Sequence, residues 1–248
     1  MTPLDAGIVA RIFAEPFTVT FPSFTPNVIT SPSGLLNGSK LNGTVDYNSR
    51  SSGIINYTGV SDTVVYSVYV KKADYDFFVL RITDNPANVG GTSAGYQTNF
   101  NIVSGVIDSS EVFAGTPINP FSGIIDCGNG WFRCYVGLTK NGGATRIDCQ
   151  NFLFDKSGII SNPTFIGSTT LGTYIWGAQL EEGSYPTSYI PTNGATVTRL
   201  ADVGTNSGTV DDFNSEEGTL SFTVKPYKTI GDSVISISDV NTNNGLFF

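Results

Sequence analysis

Apolar and polar residues alternate along much of this chain in short runs closed by turn formers, and a period of two restricts such runs to β-strands. The plainest run is Val64-Val65-Tyr66-Ser67-Val68-Tyr69-Val70, followed by Lys71 and Lys72. Its period places Val64, Tyr66, Val68 and Val70 on one face and Val65, Ser67 and Tyr69 on the other, with the lysines ending the strand at solvent. Asp126-Cys127-Gly128-Asn129-Gly130-Trp131-Phe132-Arg133-Cys134-Tyr135-Val136 joins a turn to a strand. The Gly-Asn-Gly triplet supplies residues tolerant of positive φ. Beyond it Phe132, Cys134, Val136 and Leu138 share one face, and Trp131, Arg133 and Tyr135 the other.

Three further strands follow from the same pattern. Phe77–Ile82 comes after an Asp-Tyr-Asp turn, and with Val64–Val70 it reads as a hairpin. A strand around Ala144–Phe154 follows Asn141-Gly142-Gly143. The last, Thr173–Leu180, carries Tyr174, Trp176 and Ala178 on one side. Gly (28) and Pro (12) are abundant and helix formers scarce, while 40% apolar residues are ample for a core. Residues 31–192 are therefore predicted to form one antiparallel β-sandwich.

Histidine is wholly absent, which excludes Ser-His-Asp and Cys-His catalysis and His-ligated zinc. A net charge of −8 and a pI near 4.4 oppose a polyanionic partner, so nucleic acid is not expected. No apolar stretch reaches the roughly 20 residues that span a bilayer, and no membrane insertion is expected. Met1–Gly7 lacks the basic-then-apolar layout of a signal peptide, which suits synthesis in a cytoplasm. Cys127, Cys134 and Cys149 have no metal-site spacing. Cys134 reads as a small core residue.

The tandem Glu181-Glu182 would point to opposite faces of a strand and could not flank one scissile bond together. The pair reads as solvated turn residues, and no catalytic residue is assigned. Asp74 with Asp76, or Asp211 with Asp212, could contribute to a calcium site, though no EF-hand pattern is present. Aromatic rings grip sugars by stacking, and Trp131 with Tyr135, or Tyr174 with Trp176, could either do this or fill the core. Tyr96, in the Gly-rich stretch after Gly90, and Tyr185, in the closing turn, are the candidate carbohydrate-binding residues. Three Asn-X-Ser/Thr sites begin at Asn37, Asn42 and Asn56. They read as turn residues.

The run Trp176-Gly177-Ala178-Gln179-Leu180-Glu181-Glu182-Gly183-Ser184-Tyr185-Pro186-Thr187-Ser188-Tyr189-Ile190-Pro191-Thr192 resembles the closing signature of a sandwich module. That module is carried by fibre and virion-surface proteins of tailed bacteriophages. Ser67–Lys71 is similar to its early core strand, and Gly128–Cys134 to its central turn and strand. The order of the three motifs over about 130 residues matches as well. The residues before about Ser61 depart from the family's usual Asn-Leu-Leu-type opening. The resemblance implies a lectin-like, jelly-roll or concanavalin-like fold, a structural virion protein of tail fibre, tail or head surface, and binding of a host-surface glycan. It also implies a homotrimer attached to other virion proteins. A glycan-degrading depolymerase and a ligand-free capsid decoration or connector protein are the alternatives.

The ends are read separately. Residues 1–30 are an N-terminal arm, either attaching to the particle or serving as the sandwich's first strand. Residues 193–215 read as a linker. Residues 216–248 begin a second β domain, laminin-G-like by resemblance, with candidate strands Glu217–Pro226, Ser233–Ser238 and Gly245–Phe248. About 45 residues past Arg199 are too few for a full sandwich.

Overall fold

The computed structural model describes residues 8–12, 17–18, 24–43, 50–56, 63–86, 93–141, 144–158, 167–192, 196–200, 236–238 and 245–247. The chain divides into two units, Met1–Asp202 and Val203–Phe248. In the second, β15 (Ser236–Ser238) pairs antiparallel with β16 (Gly245–Phe247). The candidate strand at 217–226 and the carboxylates Asp211 and Asp212 lie outside the described residues.

The first unit is a two-layer antiparallel β-sandwich. One sheet contains β1 (Ile8–Ile12), β3 (Phe24–Thr30), β4 (Leu36–Asn42), β6 (Thr63–Lys71), β10 (Ile118–Asp126), β11 (Trp131–Thr139), β13 (Gly172–Glu182) and β14 (Val197–Leu200). Its path runs β10-β11-β6-β13-β1-β14, with β4 also beside β13 and β3 beyond β4. The second sheet contains β2 (Phe17–Thr18), β5 (Arg50–Asn56), β7 (Phe77–Pro86), β8 (Ala94–Asn101), β9 (Val106–Ala114) and β12 (Ala144–Phe154). Its order is β2-β5-β12-β7-β8-β9. All pairings are antiparallel, and Ile8–Ile12 stands in the first sheet between β13 and β14.

Period two sets the core as expected. Val64, Tyr66, Val68 and Val70 of β6 and Cys134, Val136 and Leu138 of β11 are fully buried. They share one core with Phe78, Leu80 and Ile82 of β7 and Ile147, Cys149 and Leu153 of β12. Each such side chain withdrawn from water contributes about 1.5–3 kcal/mol. The Tyr66 hydroxyl donates to Asn151 Oδ1 at 3.0 Å, joining the two layers through buried polar atoms. The face of β7 that carries Arg81 is also covered. Its guanidinium lies 3.9 Å from the Phe113 ring centroid and 4.7 Å from that of Phe152, and donates to Gln97 Oε1 at 2.9 and 2.6 Å.

The hairpin expected between Val64–Val70 and Phe77–Ile82 does not form. β6 pairs with β11 and β13 in one sheet, whereas β7 pairs with β12 and β8 in the other. The link between them is an arch that crosses layers roughly 10 Å apart. The Asp74 N–H donates to Gly172 O of the first sheet, and Asp76 O accepts from Ile102 N just past the second. Tyr75, buried midway, fills the gap.

A second correction concerns β13. Ala178 packs on the core with Ile175 and Leu180 and not beside Trp176. The pairing of β13 with β6 shifts between Trp176 and Gln179, and Gly177 there has φ +60°. This glycine bulge inserts one residue and reverses the phase. Leu180 thereby reaches the core, and Gln179 and Glu181 turn to the outer face.

The three Asn-X-Ser/Thr sites are strand residues, not turns. Asn37 and Asn42 stand in β4 and Asn56 ends β5. Around the edge strands β9 and β10, Val103, Val106, Ile107, Val112 and Ile118 are exposed.

Candidate ligand-binding cleft

The outer face of the first sheet is built in rows across β11, β6 and β13. The end row is Trp131, Lys71 and Tyr174, and the next is Arg133, Tyr69 and Trp176. Behind these come Tyr135, Ser67 and Gln179, then Gly137, Val65 and Glu181. The segment after β13 folds back over the inner rows. Tyr189 lies on Trp176 with ring centroids 4.5 Å apart, and Trp176 lies 5.1 Å from Tyr69.

Glu181 is the hub of this cover, and its placement corrects the reading of Glu181-Glu182 as solvated turn residues. Both are buried strand residues, and Glu181 is 0% exposed. The Glu181 carboxylate accepts from Thr187 N at 2.9 Å, Thr187 Oγ1 at 2.6 Å and Gln179 Nε2 at 3.0 Å. Arg133 Nη2 stands 3.8 Å from it and donates to Ser67 Oγ at 2.9 Å, while Nη1 donates to Thr187 O. Ile190 N donates to Gln179 Oε1 at 3.0 Å. Buried charges persist only when paired and hydrogen-bonded, and here Thr187 of the exit segment joins Gln179 and Arg133 of the sheet in supplying the partners. The Tyr-Pro-Thr-Ser-Tyr string thus closes a polar network over the sheet. Burial raises the Tyr69 pKa, and the nearby Arg133 only partly offsets this.

In the end row Lys71 and Tyr174 are half-buried, and Trp131 is covered. The β3–β4 turn reaches across to Trp131, whose Nε1 donates to Thr30 O at 3.2 Å and which is 3% exposed. Between this turn and the Gly-Asn-Gly turn lies a cleft of about 360 Å³. Its walls are Ile29–Pro32 and Gly34 on one side, Cys127–Asn129 on the other, and Lys71 with Trp131 at the base. The triplet behaves as its composition predicts, with φ of +79°, +53° and +77° at Gly128, Asn129 and Gly130. Asp126 Oδ1 holds Gly128 N at 2.8 Å, and Trp131 N donates back to Gly128 O at 3.0 Å. Lys71 Nζ donates to Asn129 O at 2.7 Å.

Tyr96 and Tyr185 are not brought together by any described contact. Tyr185 is 51% exposed in the turn after β13. Tyr96 is half-buried against the core on β8, with its hydroxyl 3.4 Å from Ser122 Oγ. Asp74 and Asp76 each face an ammonium: Lys40 at 2.7 Å and Lys72 at 2.5 Å, respectively. Among the described residues no three His, Cys, Asp or Glu side chains cluster as metal ligands. Cys134 and Cys149 are buried cysteines outside any disulfide, and Cys127 is an exposed one at the cleft. Burial pushes the Cys134 thiol pKa well up.

The two turns of the cleft lie about 100 residues apart, as the Trp131 to Thr30 bond measures. Sequence reasoning identified one turn and had no signal for the other. The fold and this cleft define an all-β sandwich with an open loop end. The chain matches no family model and no curated protein.

Proposed function

We propose that this chain is a structural and adhesive protein of a tailed-phage virion surface, whose sandwich holds a host-surface glycan in the cleft between the β3–β4 turn and the Gly-Asn-Gly turn. The cleft carries this reading. It is a concave site of about 360 Å³ between two loops at one end of a rigid sandwich, the kind of place where binding sites gather. The three-motif resemblance to phage virion modules supports the same reading. In it the chain is made in the host cytoplasm, attaches to other virion proteins and assembles as a homotrimer.

Glycan arrays and immobilised host polysaccharide test the adhesive role, with reducing-end release measured in parallel. Binding without release is expected. Release at a catalytic rate would make the chain a depolymerase and overturn the proposal. The connector reading has one observation in its favour, the exposed apolar residues along β9 and β10. Glycan silence from a chain that light scattering shows to be a stable oligomer would decide for it.

A further inference from the structure

We infer that the cleft selects an acidic saccharide, one bearing a carboxylate, and that Lys71 makes the selection; the inference rests on the glycan-binding reading above. Lys71 stands between Trp131 and Tyr174 on the outer face, and its ammonium lines the cleft. Lys40 and Lys72, close by in the fold, are held by Asp74 and Asp76. Lys71 instead meets a neutral carbonyl, Asn129 O, and faces no carboxylate among the described residues. No residue lining the cleft is acidic, in a chain whose net charge is −8. An ammonium placed so has two donor protons left for a ligand.

The turn adds a donor of the same kind. Among the described residues, Asn129 N–H donates to no protein group, while Gly128 N–H is taken by Asp126. Backbone amides exposed along left-handed turn residues form anion-binding concavities. Three carbonyls of the walls are engaged within the protein: Thr30 O by Trp131, Ser31 O by Gly34 and Asn129 O by Lys71. A cleft that holds a lysine ammonium, an unbonded turn amide and no acidic residue suits a sugar ring carrying an anionic group. Its volume of about 360 Å³ lies at the small end of ligand pockets, for one terminal or side-branch residue.

Cys127 provides the readout, being the exposed thiol on the cleft wall while Cys134 and Cys149 are buried. The full chain is treated with an uncharged maleimide, and adduct formation at Cys127 is timed by mass spectrometry. The probes are a glucuronate-containing oligosaccharide, its neutral glucose counterpart and inorganic sulfate. The acidic oligosaccharide is expected to slow labelling at least tenfold at a concentration where the neutral one does nothing. Lys71→Met abolishes that protection and Lys71→Arg retains it, with thermal melting confirming that both variants fold. Equal protection by neutral and acidic sugars overturns the selection while leaving glycan binding in place. Protection by sulfate alone overturns the saccharide and with it the glycan reading. No protection by any probe overturns both.

Discussion

Replacing Glu181 by Leu tests whether the closing signature is a structural lock. The carboxylate is fully buried and accepts three hydrogen bonds of 2.6–3.0 Å, while Arg133 waits 3.8 Å away. Hydrogen bonds to a charged group contribute about 1.5–3 kcal/mol each, and breaking a buried ion pair from one side costs about 3–5 kcal/mol in all. Arg133 keeps its bonds to Ser67 and to Thr187 O, which puts the expected loss near the lower end, about 3 kcal/mol. Glu181→Gln preserves the shape and loses the charge, for about 1–2 kcal/mol. Urea unfolding followed by tryptophan fluorescence measures both, because Trp131 and Trp176 each stand on this sheet. With a slope of about 2 kcal/mol/M, the leucine variant's midpoint falls by roughly 1.5 M. Lys72→Ala is the control, since that ion pair with Asp76 is half exposed and contributes under about 1 kcal/mol. A Glu181→Leu loss below about 1 kcal/mol at unchanged slope would refute the network.

Gly177→Ala forces a side chain into φ +60°, where its Cβ would lie 3.1 Å from Tyr69 and 3.2 Å from Tyr189. A loss of about 1–2 kcal/mol is expected, read from thermal melts, and no loss would place the bulge elsewhere. Hydrogen bonding from Lys40 lowers the Asp74 pKa. At Asp108 burial acts upward, yet bonds from Gly158 N, Ser157, Ser109 and Asn99 outweigh it and the pKa falls. Both carboxyls therefore stabilise the fold above their unfolded values of about 4, and that contribution is lost as pH falls through the folded values. Asp74→Asn and Asp108→Asn should each flatten the acid limb of a stability-versus-pH curve, and an unchanged limb contradicts the assignment. Asp148 has the opposite sign: burial raises its pKa despite Arg146, so it favours the fold below about pH 4 and less as pH rises through its folded value. Asp148→Asn should leave stability at pH 7 unchanged or higher, and a clear loss in urea unfolding would refute this.

Period two located the core residues of β6 and β11, because alternation is written locally. The arch at 72–76 was not legible as such: Asp-Tyr-Asp serves a hairpin equally well, and only pairing with distant strands separates β6 from β7. The phase reversal at Gly177 was hidden because a glycine in a strand reads as a weak position until its φ is known. Glu181 misled for a related reason. Two adjacent carboxylates read as solvated, but Arg133 lies about 50 residues upstream and approaches only through the sheet. The Gly-Asn-Gly turn was legible from its own residues, while the cleft needed a second turn brought from the far side of the sequence.

The arch has a consequence for synthesis. Lys71 is paired with Trp131 and Tyr174, so β6 leaves the ribosome about 60 and 100 residues ahead of its two neighbours. At about 5–20 residues per second the nascent strand waits roughly 5–20 s for the later one. Throughout that interval Val64–Val70 is an uncharged, β-prone heptad with an unsatisfied backbone, the kind of stretch that associates with copies of itself. Lys71 and Lys72 at its boundary then act as gatekeepers against such association, and a holdase chaperone arriving in the same window would raise the yield of folded chain.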